Sequence, residues 1–421
     1  MNIMRLYYRL PVFAQNIATT IQGLVFKKER YGDTYRNALE EYKRRDYSNK
    51  AALEDYQWER IGELIHFAVE HSSFYKEFYK NIDIEKAISN RDITLLPVLE
   101  KEIVRNHVEE MYCLPPDKGK YGNTSGTTGS TIKFMYDVDD QQRRMAYLDA
   151  FKMYHGYIPM KMKRASFTSA KVIPSPPKQN IYWRDNWAIN QRLYSGYHCK
   201  GKLTKYYVEN LMKYKPESLD GYPSAMFELA QYINQNNIDL GFTPIAIFPT
   251  AETLLPHYRA EIESAFKCPV RDQYASSEGS PFIVECKCGK LHVAMDTGLI
   301  EFLDDGRMLV TCFETHGTPL IRYDIKDMAY LADDQTCECG WNMPVVERIE
   351  GRTIDYIISP KYGRITSVYL SLVSGDFMNS VRAMQFVQND LYSIDVYLVF
   401  PLLCLRRFWK LKHSSMQENI S

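Results

Sequence analysis

No excess of either charge marks this chain: Lys plus Arg and Asp plus Glu both total 52 in 421 residues. A balanced chain carries no electrostatic footprint for nucleic acid and no acidic tail, so any polyanion it binds must be met by donors gathered locally. Long hydrophobic runs are missing too. The longest late one, Val396 to Leu405, is about half of the ~20 residues that a bilayer span needs. The start, Met1 to Phe26, is interrupted by Gln15, Asn16, Thr19 and Thr20 before a signal-peptide core can form, and no small-residue cleavage site follows. Together these absences predict a cytoplasmic protein with no transmembrane span and no nucleic-acid partner. Repeats and long linkers are absent as well. Hydrophobic residues at 45% and charged residues at 25% are globular values, which excludes collagen-like, disordered and polytopic membrane classes.

The length exceeds what one core usually serves, so at least two lobes are expected. From Ala51 to Lys80 the positions Leu53, Trp58, Ile61, Leu64, Ile65 and Ala68 recur mostly at helical steps. Further helices are expected over Gln141–Tyr154, Ser224–Gln235 and Pro256–Phe266, with a strand at Ala246–Phe248 between them and another at Pro269–Tyr274 directly after the last, the alternation of an α/β body. After Leu291 the texture turns to strands. Leu299–Leu303 and Met308–Phe313 flank Asp304-Asp305-Gly306-Arg307, a hairpin signal inside a β-rich subdomain expected over 280–350.

One stretch, Tyr121 to Phe134, gathers Thr124, Ser125, Thr127 and Thr128 around Gly126 and Gly129, with Lys133 just beyond. Glycines let backbone N–H groups turn inward, hydroxyls add donors and the lysine adds positive charge, so the loop can wrap a polyphosphate. The Gly-Lys-Ser/Thr ending of a P-loop is absent, which removes the ordinary kinase and GTPase reading.

Thr124 to Gly129 reads Thr-Ser-Gly-Thr-Thr-Gly, and five further runs follow it: Gly221-Tyr222-Pro223-Ser224, then Thr250-Ala251-Glu252, then Tyr274-Ala275-Ser276-Ser277-Glu278-Gly279, then Pro319 to Asp327, then Gly351-Arg352-Thr353-Ile354-Asp355. In this order they resemble the signatures of adenylate-forming enzymes, and within them the phenylacetate-coenzyme A ligase-like group that includes proteins linked to capsular polysaccharide synthesis. The resemblance covers roughly 30 to 390. It implies a large N-terminal lobe over 1–350 that binds ATP and the acyl group, then a hinge and a small, incomplete α+β lobe over 351–421. The implied reaction joins a carboxylic acid to ATP as an acyl adenylate, then to a thiol, coenzyme A or a carrier protein's. The implied roles put Lys133, Glu278 and Arg352 at the reacting phosphates, with Glu278 on magnesium. Tyr274 stacks on adenine, Ser277 donates to phosphate, Asp327 accepts from the ribose, and Glu252 lines the nucleotide and acyl pocket.

Cys286-Lys287-Cys288-Gly289 and Cys337-Glu338-Cys339-Gly340 flank the hairpin region, with His292 just past the first pair. Thiolates and imidazole select zinc, and a closed structural site needs four ligands from these five. The tail departs from the resembled group, whose C-terminal lobe carries a late lysine that contacts the acyl and phosphate oxygens during adenylation: Phe400 to Lys410 does not match that group and no Gly-Lys element follows, so the end reads as shortened or altered, and neither Lys410 nor Lys412 takes that lysine's role. Two other readings therefore stand beside the ligase. One is a nucleotide-binding relic. The other is a membrane-surface assembly factor for capsular polysaccharide synthesis, using the amphipathic start and the Val396–Lys412 tail.

Overall fold

The computed structural model describes residues 3–123, 132–169, 172–174, 177, 179–352, 356–360, 363–366, 383–399 and 408–412. Two sheets organise the large lobe. The first has five strands in the order Trp183–Asn186, Gln191–Ser195, Arg164–Thr168, Ser218–Gly221 and Ala246–Pro249. Its neighbours pair in parallel except at the antiparallel edge strand Trp183–Asn186. Parallel neighbours need crossovers, and the helices Thr204–Tyr214 and Pro223–Gln235 supply them. Their inward residues Tyr207, Leu211, Met226 and Leu229 pack with Phe167, Leu219 and Ile247 from the sheet.

The second sheet is antiparallel throughout, with seven strands running Gly298–Phe302, Arg307–Cys312, Tyr323–Leu331, Val345–Arg352, Leu291–Val293, Ile283–Glu285 and Gln273–Tyr274. The expected hairpin is its first pair, and Gly306 at φ 86° makes the turn. The long helix Lys50–His71 lays Ile61, Leu64, Ile65 and Ala68 on a core shared with Val310 and Ile325 of this sheet and with Phe313 just past its second strand.

Several expected boundaries hold, and two change for visible reasons. The helix over Pro256–Phe266 is as expected. The one expected over Ala51–Lys80 breaks at Ser72, whose hydroxyl accepts from the Tyr75 N–H and starts a new helix, Ser73–Phe78. The expected strand Pro269–Tyr274 shrinks to Gln273–Tyr274, because the run crosses between sheets: Val270 bridges to Ile247 of the first, and Gln273 pairs with Val284 of the second. A buried carboxylate fastens this crossing. Glu285 accepts from Arg259 at 2.5 Å, from Arg271 at 3.3 Å and from the Asp272 N–H at 3.1 Å.

Beyond residue 352 the described residues form strands: the hairpin Tyr356–Ser359 with Gly363–Thr366, and a three-stranded sheet of Ala383–Asp390, Ser393–Val399 and Phe408–Lys412. Lys410 and Lys412 lie on the last strand, opposite Asp395 and Ser393. No helix among the described residues is long and apolar enough to cross a membrane.

Candidate active site

A cavity of about 360 Å³ opens between the helix Val138–Tyr154, the strand Lys133–Tyr136 and the turns at 275–279 and 314–318. The turn at 275–279 is held by its own sequence. The Ser276 N–H donates to the Ser280 hydroxyl at 3.0 Å and the Ser280 N–H donates back to the Ser276 hydroxyl at 3.1 Å. Gly279 sits at φ 98°, and a Cβ there would come within 2.6 Å of Thr315 Cγ2, so only glycine lets the two turns meet. This closure sets the buried Glu278 at the edge of the cavity. Ser277 is exposed, and its carbonyl accepts from the Tyr136 hydroxyl at 3.0 Å.

Tyr274 and Asp327, far apart in sequence, meet directly: the Tyr274 hydroxyl donates to Asp327 Oδ2 at 2.7 Å. Burial and then the Asp327 charge raise the Tyr274 pKa well above its ordinary value, so the phenol stays protonated and serves as donor. Arg352 ends its strand with its backbone opposite Asp327. The preceding Gly351 passes the loop that carries Glu252, since a Cβ on Gly351 would lie 3.0 Å from Thr253 Oγ1. Glu252 accepts from the Ser224 N–H and the Ser224 hydroxyl, both at 3.0 Å, and so closes the N-terminus of the helix Pro223–Gln235. Burial pushes its carboxyl up to about 7.

Thr124, Ser125, Gly126, Thr127, Thr128 and Gly129 lie outside the described residues, as do Thr353, Ile354 and Asp355. The strands on either side of the glycine stretch are described: Lys120–Asn123 and Lys133–Tyr136 pair antiparallel with Asn123 opposite Lys133, and Phe134, Met135 and Tyr136 line the cavity. Lys133 stands exposed with its ammonium 4.0 Å from the centre of the Tyr121 ring.

Other residues of the cavity escaped the sequence reading. Glu314 is buried in its wall, 5% exposed. Burial, and then the neighbouring Asp140, push its carboxyl up to about 7 against the pull of Arg144, Arg60 and Arg143. Asp140 accepts from both the backbone N–H and the ring Nδ1 of His316, at 2.6 and 2.7 Å. Arg144 donates to the Ser280 carbonyl at 2.8 Å and lies over the Phe282 ring. No motif marks these positions. They come from a helix and a turn roughly half a chain apart, and the fold alone joins them.

The second candidate site is the cysteine region. One ligand atom from each of Cys286, His292, Cys337 and Cys339 falls within 4.8 Å of the others. Cys286 Sγ is 3.6 Å from Cys337 Sγ, and Cys339 Sγ is 3.6 Å from His292 Nε2. A tetrahedron with Zn–S bonds of ~2.3 Å has edges of about 3.8 Å, so these spacings fit zinc. His292 Nδ1 lies 3.2 Å from the Met343 carbonyl, a bond that makes Nδ1 the donor and leaves Nε2 free to ligate. Of the five expected ligands, Cys288 is the one left out: it is exposed and lies outside this group. Gly289 and Gly340, at φ 82° and 83°, turn the two knuckles alike.

Among curated proteins, the chain is 39% identical over 399 residues to protein CapK of Staphylococcus aureus, covering 94% of this chain and 88% of that one. No family model matches. Among solved structures, it is similar to 2-hydroxyisobutyryl-CoA ligase in complex with 2-HIB-AMP and CoA in the thioesterification state, with TM-score 0.61, 18% identity, and coverage of 83% of this chain and 78% of that one. The same ligase in its postadenylation state with R3-HIB-AMP gives TM-score 0.59 and 16% identity, covering 81% and 77%.

Proposed function

The chain belongs to the family of CapK and has the fold of adenylate-forming ligases, and from that premise we propose that it uses ATP to activate a carboxylic acid and then hands the acyl group to a thiol, coenzyme A. A carboxylate oxygen attacks the α-phosphorus, and pyrophosphate leaves with the electrons of the broken P–O bond. The thiol sulfur then attacks the acyl carbon, AMP departs, and the thiol proton passes to solvent. One observation carries the reading: the Tyr274 hydroxyl bonds Asp327, Asp327 pairs with Arg352 across the sheet, and Gly351 passes the loop of Glu252, while Glu278, four residues beyond Tyr274, lines the cavity, all on a fold shared with a ligase seen with 2-HIB-AMP and CoA.

In this proposal Tyr274 stacks on adenine, and Asp327 accepts from the ribose hydroxyls, since a carboxylate can accept several bonds at once. Ser277 and the Thr124–Gly129 loop donate to the phosphates, while Lys133 and Arg352 meet their charge. Glu278 is the hard oxygen ligand that magnesium requires, and the bound ion supplies further neutralisation of phosphate charge. Catalysis is then mostly positioning and electrostatics. The cavity, with Phe134, Met145, Leu148 and Phe282 beside Glu314, suits an acid with an apolar body and a hydrogen-bond donor. Cys286, His292, Cys337 and Cys339 hold zinc in a structural role.

Exchange of labelled pyrophosphate into ATP across a panel of carboxylic acids tests this. Acid-dependent exchange is expected, strongest for acids bearing a hydroxyl or amine. ATP binding with no exchange for any acid would instead leave a nucleotide-binding protein without adenylation.

A further inference from the structure

The helix Val12–Arg30 is built inside out. Its polar residues face the protein: Arg184 donates to the Gln15 side-chain oxygen at 2.6 Å, the Asp185 N–H to Asn16 Oδ1 at 3.1 Å, and the Trp187 N–H to the Thr20 hydroxyl at 3.1 Å. These bonds have a structural reason. Trp183–Asn186 is the edge strand of the five-stranded sheet, and the helix covers it. Gly23 permits the close approach, since a Cβ there would lie 2.1 Å from Asn186 Oδ1.

The opposite face has no such account in a protein surrounded by water. Phe13, Ile17, Ile21 and Leu24 recur at steps of four, four and three, and they are 67%, 39%, 57% and 54% exposed. Among the described residues, eight of the sixteen exposed large hydrophobic side chains fall between Met4 and Phe26. A ninth, Trp187, stands against Phe13 with ring centres 6.4 Å apart. So concentrated an exposed apolar patch marks an interaction surface.

Charge selects the occupant. Residues 3–30 carry Arg5, Arg9, Lys27, Lys28 and Arg30 against the single acid Glu29, which is already paired with Lys120 at 2.6 Å. The whole chain is neutral, so this positive stretch is local. An apolar stripe about 17 Å long, edged by cations and by an exposed tryptophan, matches the boundary between headgroups and acyl chains of an anionic bilayer. We propose that the helix Val12–Arg30 docks the protein on an anionic lipid surface, lying in the interface without crossing it. Arg30 also lines the cavity, so docking sets the cleft close to the membrane.

Co-sedimentation of the full chain with vesicles tests the proposal independently of any catalytic activity. Binding is expected to vesicles containing phosphatidylglycerol, to weaken with salt, and to be much lower on pure phosphatidylcholine. The combined substitution Ile17→Glu, Ile21→Glu and Leu24→Glu, at exposed positions, should reduce it at least about tenfold. If that variant fails to fold, the charge-only pair Arg9→Glu and Lys28→Glu reads the same surface and should also reduce binding. The proposal is overturned if the wild-type chain ignores anionic vesicles, or if both variants bind like the wild type. It is overturned equally if sedimentation velocity shows a dimer that the apolar substitutions dissolve, which would give the face to a second copy.

Discussion

The cysteine cluster and the cavity beside Glu278 are assembled in opposite ways. In the cluster, three of the four converging ligands stand in two Cys-x-Cys-Gly runs, and each run turns on its own glycine. Each half of the donor set is local, although the two halves lie about fifty residues apart, so the sequence displays the candidates and the fold joins them. In the cavity, Glu314, Asp140 and Arg144 reach one another only because a helix and a turn pack together. A zinc ion, as proposed, would stabilise the cluster by satisfying all four donors. The cavity keeps carboxylates buried at a cost, the usual signature of a binding surface.

The largest effect should come from the cluster. Cys337→Ser should abolish bound zinc and lower the melting temperature substantially, because metal-binding energy at such a site is folding energy. Cys288→Ser should change neither. Zinc content by mass spectrometry alongside thermal melts decides this, and zinc retained by the Cys337 variant, or lost from the Cys288 variant, would break the four-ligand assignment.

Next in size come the phosphate contacts. Glu278→Ala and Lys133→Ala should each slow acid-dependent pyrophosphate exchange by at least about tenfold, roughly 1.4 kcal/mol of transition-state stabilisation. Equal rates in folded variants would remove both residues from the reaction.

A smaller effect separates burial from function at Glu314. Its carboxyl titrates near 7 in the folded protein against an ordinary value of 4.5. A raised carboxyl pKa means that the native state holds the proton more tightly than the unfolded state, so this group's contribution to stability falls as pH rises from 4.5 through about 7. Glu314→Gln removes that fall. Relative to wild type, the variant should gain stability between pH 5 and pH 8 by at most about 3 kcal/mol. Melts at the two pH values measure it, and parallel curves would show that the carboxyl is not buried as described.

How much of this was legible follows the same division. The helix over Pro256–Phe266 and the hairpin around Gly306 carry their signals in local residues and stand where expected. The segment Pro269–Tyr274 misled because its apolar character serves two sheets in turn, which no local pattern encodes. The meeting of Tyr274 with Asp327 was legible only through the family resemblance. Glu314 was not legible at all. The amphipathic start was read as a membrane-surface element, but which residues of the helix Val12–Arg30 would face the sheet was not legible, since a stripe of apolar residues at helical spacing ordinarily faces inward.

The finest distinction lies within the Tyr274–Asp327 pair. Asp327 Oδ2 already accepts from the Tyr274 hydroxyl at 2.7 Å, so the hydroxyl orients the carboxylate, while the proposed function gives the ring to adenine. The two contributions differ in size: a hydrogen bond of this kind is worth about 1 kcal/mol net, and stacking a base on an aromatic ring about 1–3 kcal/mol. Tyr274→Phe keeps the ring and should raise the KM for ATP by no more than about fivefold. Tyr274→Ala loses both and should raise it by about tenfold or more. If the phenylalanine variant is as impaired as the alanine one, the hydroxyl carries the role and Tyr274 is a positioning residue for Asp327, with adenine held elsewhere in the cleft.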